Sequence, residues 1–341
     1  MLNTSAHKLD NATLSLFQQT TATFTISVIY TVVTVVNLVG NGLSMWLLLF
    51  HTSPKTLSII FMINLTMTDL ALGAALPFQI VYQQQRYNWT LGPGMCGFLT
   101  IMFFSNMYCS ILTIMAIGVD RYLGIIWPMR FREIRAKKRT AVLSCLLMWA
   151  VVLLVFYPLM TTDLTFHIPE LGITTCFDVL KRDMLPSLAA WGAYLFAVFV
   201  VLFFLPLCVT TFCYVSVIRK LARDSKKTAQ KERAKRLTAT VLLVFLLFFA
   251  PCNVLFLAHI VRRVFYKDSL YMAYKLSLSF SCLNSCLDPF IYYLASREFR
   301  HKLRQMLRLS SVSSTDSTRA AERKDSLFSQ LNDAQETSAR C

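Results

Sequence analysis

Asp69 and Asp288 each sit inside a long apolar stretch, Leu57 to Tyr82 for the first and Ser269 to Ser296 for the second. An ionisable side chain at such depth is expensive and therefore a functional candidate by default. Two carboxyls can persist there with one protonated and hydrogen-bonded to the other. A second pair, Asp120 and Arg121, follows directly on Cys96 to Val119, a run with no charge. A neighbouring acid can hold the guanidinium in one state, and its release would present five donors to a partner. The plainer role for this pair is an anchor at a membrane interface.

The elements that must position these groups follow from composition. With 55% hydrophobic and 15% charged residues, the chain reads as a membrane protein. Apolar stretches recur at Phe24 to Phe50, Leu57 to Tyr82, Cys96 to Val119, Thr140 to Thr162, Met184 to Ile218, Leu237 to Val261 and Ser269 to Ser296. A bilayer core of about 30 Å needs roughly 20 helical residues, and each stretch reaches that length. Helices satisfy their own backbone, so seven spanning helices are expected, an all-α membrane bundle over residues 24–296.

Basic residues mark the inner side. Residues 130–139 carry +5, residues 219–236 carry +7 and residues 297–308 carry +4, which together equal the +16 of the whole chain. The opposite segments are nearly neutral, from −2 over 163–183 to +2 over 262–268. Residues 1–23 are thus expected outside and the tail, 309–341, in the cytoplasm. Charge parcelled between apolar spans excludes nucleic-acid binding as the leading reading. The glycosylation sequons at Asn3, Asn11 and Asn88 fall on the outer side, whereas that at Asn64 lies within a span and is expected to be unmodified.

Most of the ten cysteines lie in apolar spans and read as small hydrophobes. Cys96 and Cys176 lie on the oxidising side, where a disulfide between them would pin the loop between the fourth and fifth spans over the bundle mouth. Cys282 and Cys286 share one helix face, but no histidine accompanies them and no metal is expected.

An ordered set of motifs now carries a resemblance. "GN" at Gly40 and Asn41, "NLTMTDLALGAALP" with Asp69 and Pro77, "DRY" at Asp120 to Tyr122, Trp149, Pro206, "FFAPCN" around Pro251 and "DPFIYYLASREFR" from Asp288 resemble the rhodopsin-like class of G-protein-coupled receptors over about residues 24–307. The resemblance implies an allosteric sodium ion among Asn41, Asp69, Ser110, Asn284 and Asp288, with no other cofactor or metal. It implies an activation core of Ile111, Pro206, Phe245, Phe249 and Pro251. Asp120, Arg121, Tyr122, Tyr214 and Tyr292 would form the G-protein switch. Two departures stand out: Phe249 replaces the usual tryptophan of the sixth span, and Lys231 stands where an acid often clasps the third-span arginine.

Within the class, "FSNMYCSILT", "TDLTFHIPELGITTCFDVLK" and "LAHIVRRVFY" resemble the metabotropic purinoceptor and lysophospholipid-receptor branch. The resemblance implies a multi-pass plasma-membrane receptor that is not an enzyme. Its partners would be a heterotrimeric G protein, through Gα(12/13) to Rho, with an arrestin and a receptor kinase acting on the tail. The expected ligand-binding cleft comprises Tyr30, Gln79, Tyr82, Phe103, Phe104, Met107, Tyr194, Asn253, Phe256 and Tyr274, with Arg86, His259, Arg262 and Lys275 near the rim. Nucleotide-binding relatives carry basic groups where Asn253 and Phe256 stand. An extracellular anionic amphiphile, such as a prenyl-glutathione conjugate, is therefore preferred over a nucleotide, which is the second reading. Half of these aromatics taken singly would pass as ordinary helix packing.

Residues 297–308 alternate basic and apolar side chains, as in a short amphipathic helix on the inner leaflet. The tail beyond is Ser- and Thr-rich and is expected to be disordered. A transporter would show two similar halves, and a membrane enzyme a clustered nucleophile or metal motif; neither pattern is found.

Overall fold

The computed structural model describes residues 20–53, 56–131, 138–178, 188–223, 228–262, 270–295 and 299. Asn3, Asn11, the expected 297–308 helix apart from Phe299, the tail and the side chain of Tyr292 lie outside the described residues.

Helices occupy all seven expected positions. They run Thr20–Trp46, Leu57–Gln84, Gly92–Ile126, Lys138–Met160, Leu188–Phe199 with Leu205–Arg223, Ala229–Val261, and Tyr271–Ser281 with Asn284–Ala295. The first continues through a π-helical turn, Leu47–His51. Among the described residues, six of the spans are long and apolar enough to cross a bilayer as continuous helices. The seventh is broken by a turn at Cys282 and Leu283, whose backbone N–H groups bond back to the Ser279 and Phe280 carbonyls at 3.3 and 3.1 Å. Cys282 and Cys286 are therefore not on one uninterrupted helix, although both pack into the same buried cluster with Ile26, Tyr30 and Phe103.

Several boundaries differ from the apolar stretches, two of them widely. The third helix runs on to Ile126, so Asp120 and Arg121 sit inside it, and the sixth begins at Ala229, well before Leu237. Hydropathy locates the bilayer, whereas backbone hydrogen bonding continues into water wherever nothing breaks it. In the fifth span a second π-helical turn, Val200–Phe204, precedes Pro206. Proline has no N–H to give, and a wider turn is the usual way to absorb that loss.

The bundle is apolar outside and polar inside. Leu154, Phe50 and Val39 are among many exposed large hydrophobics on its outer surface, while Asn37, Asn41, Thr68, Asp69, Asn106, Ser110 and Asp288 are buried. In hydrocarbon the helices gain little from hiding apolar surface, so close backbone approach and buried hydrogen bonds hold them together. Asn64 shows both roles: its Nδ2 donates to Thr113 Oγ1 and its Oδ1 accepts from Trp149 Nε1, each at 3.0 Å. That sequon is consumed in packing three spans. Close approach is supplied at Gly40, where an added Cβ would meet Pro289 Cγ at 3.1 Å, and at Gly118, where it would meet Tyr214 Cε2 at 2.5 Å.

Outside the bundle, Thr165–Ile168 (β1) pairs antiparallel with Ile173–Cys176 (β2), in the register Thr165 to Cys176. This hairpin follows the fourth span, where the sequence alone leads to the expectation of a loop. Trp89 N–H donates to the Thr174 carbonyl at 2.6 Å, and Asn88 Oδ1 accepts from Thr174 N–H at 3.1 Å. The Asn88 sequon is thus ordered against the hairpin through its oxygen.

Candidate functional site

Cys96 and Cys176 are joined, with 5.7 Å between their Cα atoms, which ties β2 to the top of the third span. Two residues after Cys176 the chain turns inward and delivers Asp178 into the bundle mouth. There Asp178 Oδ1 accepts from Lys275 Nζ at 2.6 Å and from the Tyr271 hydroxyl, and Oδ2 accepts from the Tyr82 hydroxyl at 2.5 Å. The Tyr82 oxygen in turn accepts from Cys176 N–H at 3.1 Å. Lys275 also lies 4.4 Å from the Tyr87 ring centroid.

This cluster corrects the expectation that Lys275 is a rim cation. It is 7% exposed and paired, and among the described residues it is the one buried lysine or arginine. Burial of a charge is tolerated only with a partner and satisfied donors, and Asp178, with tyrosines around it, supplies both. Sequence reasoning missed Asp178 because it lies in a loop, where a carboxylate is ordinary; its offset of two from a bridged cysteine was the available signal.

Below the clasp lies the aromatic cleft. Tyr30 and Phe103 meet edge to face at 6.3 Å, Phe103 meets Phe104 at 5.8 Å, and Phe256 packs on Tyr274 at 5.4 Å. His259 stacks over Tyr274 at 6.2 Å. Tyr30, Tyr82, Phe103, Phe104, Met107, Asn253 and Tyr274 are buried, Gln79, Tyr194, Phe256 and His259 are half-buried, and Arg86 and Arg262 are exposed. Asn253 faces Tyr108, whose hydroxyl donates to its Oδ1 at 3.4 Å, and Tyr194 is turned to the Val155 carbonyl at 2.9 Å.

Deeper still, Asn37, Asn41, Asp69, Asn106 and Ser285 interlock. Asn106 Nδ2 donates to Asp69 Oδ1 at 3.0 Å, Asn37 Nδ2 to the Asp69 carbonyl at 2.7 Å, and Asn41 Nδ2 to the Ser285 carbonyl at 2.8 Å. Asn284 Nδ2 donates to Asp288 Oδ2 at 3.4 Å, and the two carboxyls lie close enough to interact electrostatically. Asn41 Oδ1, Asp69 Oδ2, Ser110 Oγ and Asn284 Oδ1 are buried without a hydrogen-bond partner among the described residues. These are hard oxygen ligands, the donor set an alkali cation takes. All five residues expected to hold sodium are therefore buried in the bundle interior, and Asn37 and Asn106 join them.

Ile111, Phe245 and Phe249 are buried, with Phe245 and Phe249 in ring contact at 5.6 Å, and Pro206 is buried in the fifth span. Pro251 is exposed on the outer face and is no part of that core. Its effect on the sixth span is through the backbone bond it cannot make.

At the inner end Asp120 is buried and accepts from Ser58 Oγ at 3.5 Å. Arg121 Nη1 reaches across to Thr238 Oγ1 of the sixth span at 3.5 Å, while the Thr238 hydroxyl donates to the Ala234 carbonyl at 2.7 Å. Where Lys231 withholds an acidic clasp, a neutral threonine bridges the third and sixth spans instead. The Tyr214 ring packs closely against Gly118 and its hydroxyl donates to the Ile114 carbonyl at 3.3 Å, and Tyr122 packs on Phe212 at 5.5 Å.

Comparison with known proteins agrees with this arrangement. Residues 40–292 match the model of the 7 transmembrane receptor (rhodopsin family). The chain is 49% identical to purinoceptor 8 of Gallus gallus, over 96% of this chain and 91% of that protein. It is 46% identical to the S-geranylgeranyl-glutathione receptor of Homo sapiens, over 87% and 83%. It is also 39% identical to proteinase-activated receptor 1 of Xenopus laevis, over 85% and 68%.

Proposed function

Because the chain belongs to the rhodopsin family of seven-transmembrane receptors, in its purinoceptor-8-like branch, we propose that its extracellular ligand is a prenylated peptide conjugate of the glutathione type, read at the Lys275–Asp178 clasp. It is a multi-pass receptor of the plasma membrane and not an enzyme, and the family couples to G proteins. The observation that supports the ligand is the clasp above an aromatic cleft. A zwitterionic head can present a carboxylate to Lys275 and an ammonium to Asp178, replacing each partner of the pair with one of like charge. A prenyl tail would then extend among Phe103, Phe104, Phe256 and Tyr274, each buried methylene contributing about 0.8 kcal/mol. A triphosphate would need several converging cations, whereas Asn253 and Phe256 contribute none and Lys275 is already neutralised.

Agonist binding shifts population toward the arrangement that it fits better. Loosening Asp178 from Lys275, Tyr271 and Tyr82 would free the second and seventh spans at their outer ends. Rearrangement of Ile111, Pro206, Phe245 and Phe249 would then let the sixth span leave Arg121. Coupling through Gα(12/13) to Rho, with phosphorylation of the tail by a receptor kinase and capture by an arrestin, completes the reading.

The test compares S-prenyl-glutathiones of increasing chain length with a nucleotide panel, recording Rho, calcium and cyclic AMP. Potency should rise with prenyl length in wild type. It should fall roughly 30-fold or more in Lys275→Ala, in the range of a desolvated charge contact. Phe256→Ala should flatten the dependence on length. Potent nucleotide responses that survive both substitutions, with no response to conjugates, would overturn the reading, and calcium or cyclic AMP changes without Rho would overturn the coupling.

The oxygen-lined pocket around Asp69 fits a sodium ion held by Asn41, Asp69, Ser110, Asn284 and Asp288. When bound, the ion would supply positive charge that offsets two buried carboxylates and favours the resting arrangement. Replacing sodium by choline should raise agonist affinity roughly fivefold or more, a typical coupling between sites. Asp69→Asn should abolish that dependence and also the sodium-dependent gain in thermal stability of the purified receptor. An unchanged sodium dependence in Asp69→Asn would count against the pocket.

A further inference from the structure

Gln83, in the last turn of the second span, is 2% exposed, and its amide is only half satisfied. Oε1 accepts from Ser27 Oγ of the first span at 2.8 Å, whereas Nε2 is buried with no hydrogen-bond partner among the described residues. A donor left unpaired in the interior carries its full desolvation cost, and native proteins seldom keep one without a use for it.

The side chains around Gln83 belong to the clasp. Tyr82, its neighbour in sequence, gives its hydroxyl proton to Asp178 Oδ2. Tyr87, whose N–H donates to the Tyr82 carbonyl at 3.0 Å, sets its ring centroid 4.4 Å from Lys275 Nζ and its hydroxyl 3.0 Å from Thr23 Oγ1. Thr23 and Ser27 are one turn apart on the first span, and Tyr30, three residues further on, meets Phe103 in the aromatic cleft. Gln79, one turn below Gln83, is half-buried on the same face of the second span. Gln83 thus stands on the first-span side of the clasp, and Ser27 fixes its orientation by engaging the carbonyl edge and leaving the N–H edge over.

We propose that Gln83 is a specificity-determining residue for the ligand head, donating from Nε2 to a carboxylate that the clasp does not take; this rests on the glutathione-type reading above. Such a head carries one ammonium and two carboxylates. Its amino-acid end bears an ammonium and a carboxylate on one carbon, which suits Asp178 and Lys275, themselves 2.6 Å apart. The glycine carboxylate then finds no second cation, because Lys275 is the one buried lysine or arginine among the described residues. A neutral amide serves that anion without adding another buried charge, and an N–H given to a carboxylate makes a stronger bond than one given to a neutral acceptor. Gln83 therefore separates conjugates that end in a free carboxylate from prenylated compounds that do not.

The test uses the full-length receptor in cells and two S-geranylgeranyl conjugates, one of glutathione and one of γ-glutamylcysteine N-methylamide, which lacks only the glycine carboxylate. Wild type should respond to the glutathione conjugate at about tenfold lower concentration, the worth of one charge-assisted bond. Gln83→Met, similar in size but without the donor, should lose that tenfold and respond to the N-methylamide as wild type does. Equal potency of the two on wild type, a preference for the N-methylamide, or a preference for the glutathione conjugate that survives Gln83→Met would overturn the proposal. A second readout needs no ligand. Ser27→Ala strands both edges of the amide, whereas Gln83→Met removes bond and amide together, so the purified Gln83→Met receptor should melt at a higher temperature than Ser27→Ala. The reverse order, or a Gln83→Met receptor that fails to reach the surface, would show that Nε2 is satisfied within the protein and would overturn the proposal. Silence of wild type toward both conjugates would overturn the ligand assigned to the clasp and this contact with it, whereas responses indifferent to Gln83 would overturn this contact alone.

Discussion

Replacing Arg121 by alanine is expected to abolish G-protein activation while leaving the receptor at the cell surface. Arg121 is half-buried at the inner end of the third span and makes a long bond, 3.5 Å, to a neutral threonine. Such a bond contributes little to the resting fold. Released by a movement of the sixth span, the same guanidinium would offer charge-assisted donors to an entering partner. Two such bonds at about 2 kcal/mol each correspond to roughly a thousandfold in the stability of the signalling complex. Thr238→Ala removes the resting contact together with the hydroxyl's bond to the Ala234 carbonyl of its own helix, so it should raise basal Rho activity and leave maximal signalling intact. Nucleotide exchange measured on purified G protein, with surface receptor counted by an N-terminal epitope, separates the two effects. Full signalling by Arg121→Ala, or no change in basal activity in Thr238→Ala, would sink the assignment. The design relies on Gly118, since a side chain there would displace Tyr214 from the face it shares with the third span.

Loss of either Cys96 or Cys176 is expected to remove the agonist response and to lower stability, and the double variant should be no worse than either single. The disulfide closes a loop with a sequence separation of 80. Chain entropy alone would assign such a loop about 4 kcal/mol, and helices already confined by the membrane reduce that toward the lower part of the usual range of about 2–4 kcal/mol. The functional loss should exceed the stability loss, because Cys176 positions Asp178 two residues later. Without the bridge the carboxylate loses its aim at Lys275, Tyr271 and Tyr82. Cys96→Ala should therefore resemble Asp178→Ala in its agonist dose-response, and Asp178→Ala, which leaves Lys275 buried without its carboxylate, should itself lower thermal stability. Additive losses in the double variant would argue against a shared bond. A Cys96→Ala receptor with wild-type potency would show that the clasp does not depend on the bridge.

The sequence by itself determined how many times the chain crosses the membrane and which way round. Only a helix can hide its own backbone in hydrocarbon, and the basic segments sort themselves to one side. It also exposed Asp69, Asp288, Asp120 and Arg121, because a charge in or at the edge of an apolar run stands out whatever the fold. The outer disulfide was legible for a similar reason, since Cys96 and Cys176 lie on the oxidising side.

Tertiary structure alone decided which side chains meet. The apolar stretches end where the bilayer ends, but the third and sixth helices continue, because a hydrogen-bonded backbone has no reason to stop at Val119 or to begin at Leu237. Lys275 looked like a rim cation because sequence records its position along the seventh span and not the loop that folds over it. Asp178 was invisible as a partner because its reach depends on a hairpin and a bridge that join segments 80 residues apart. The Arg121–Thr238 contact and the seat of Tyr214 on Gly118 arise from the approach of separate helices. So does the bond from Ser27 to Gln83, for packing between helices is set by three-dimensional shape, which no periodicity along one chain encodes.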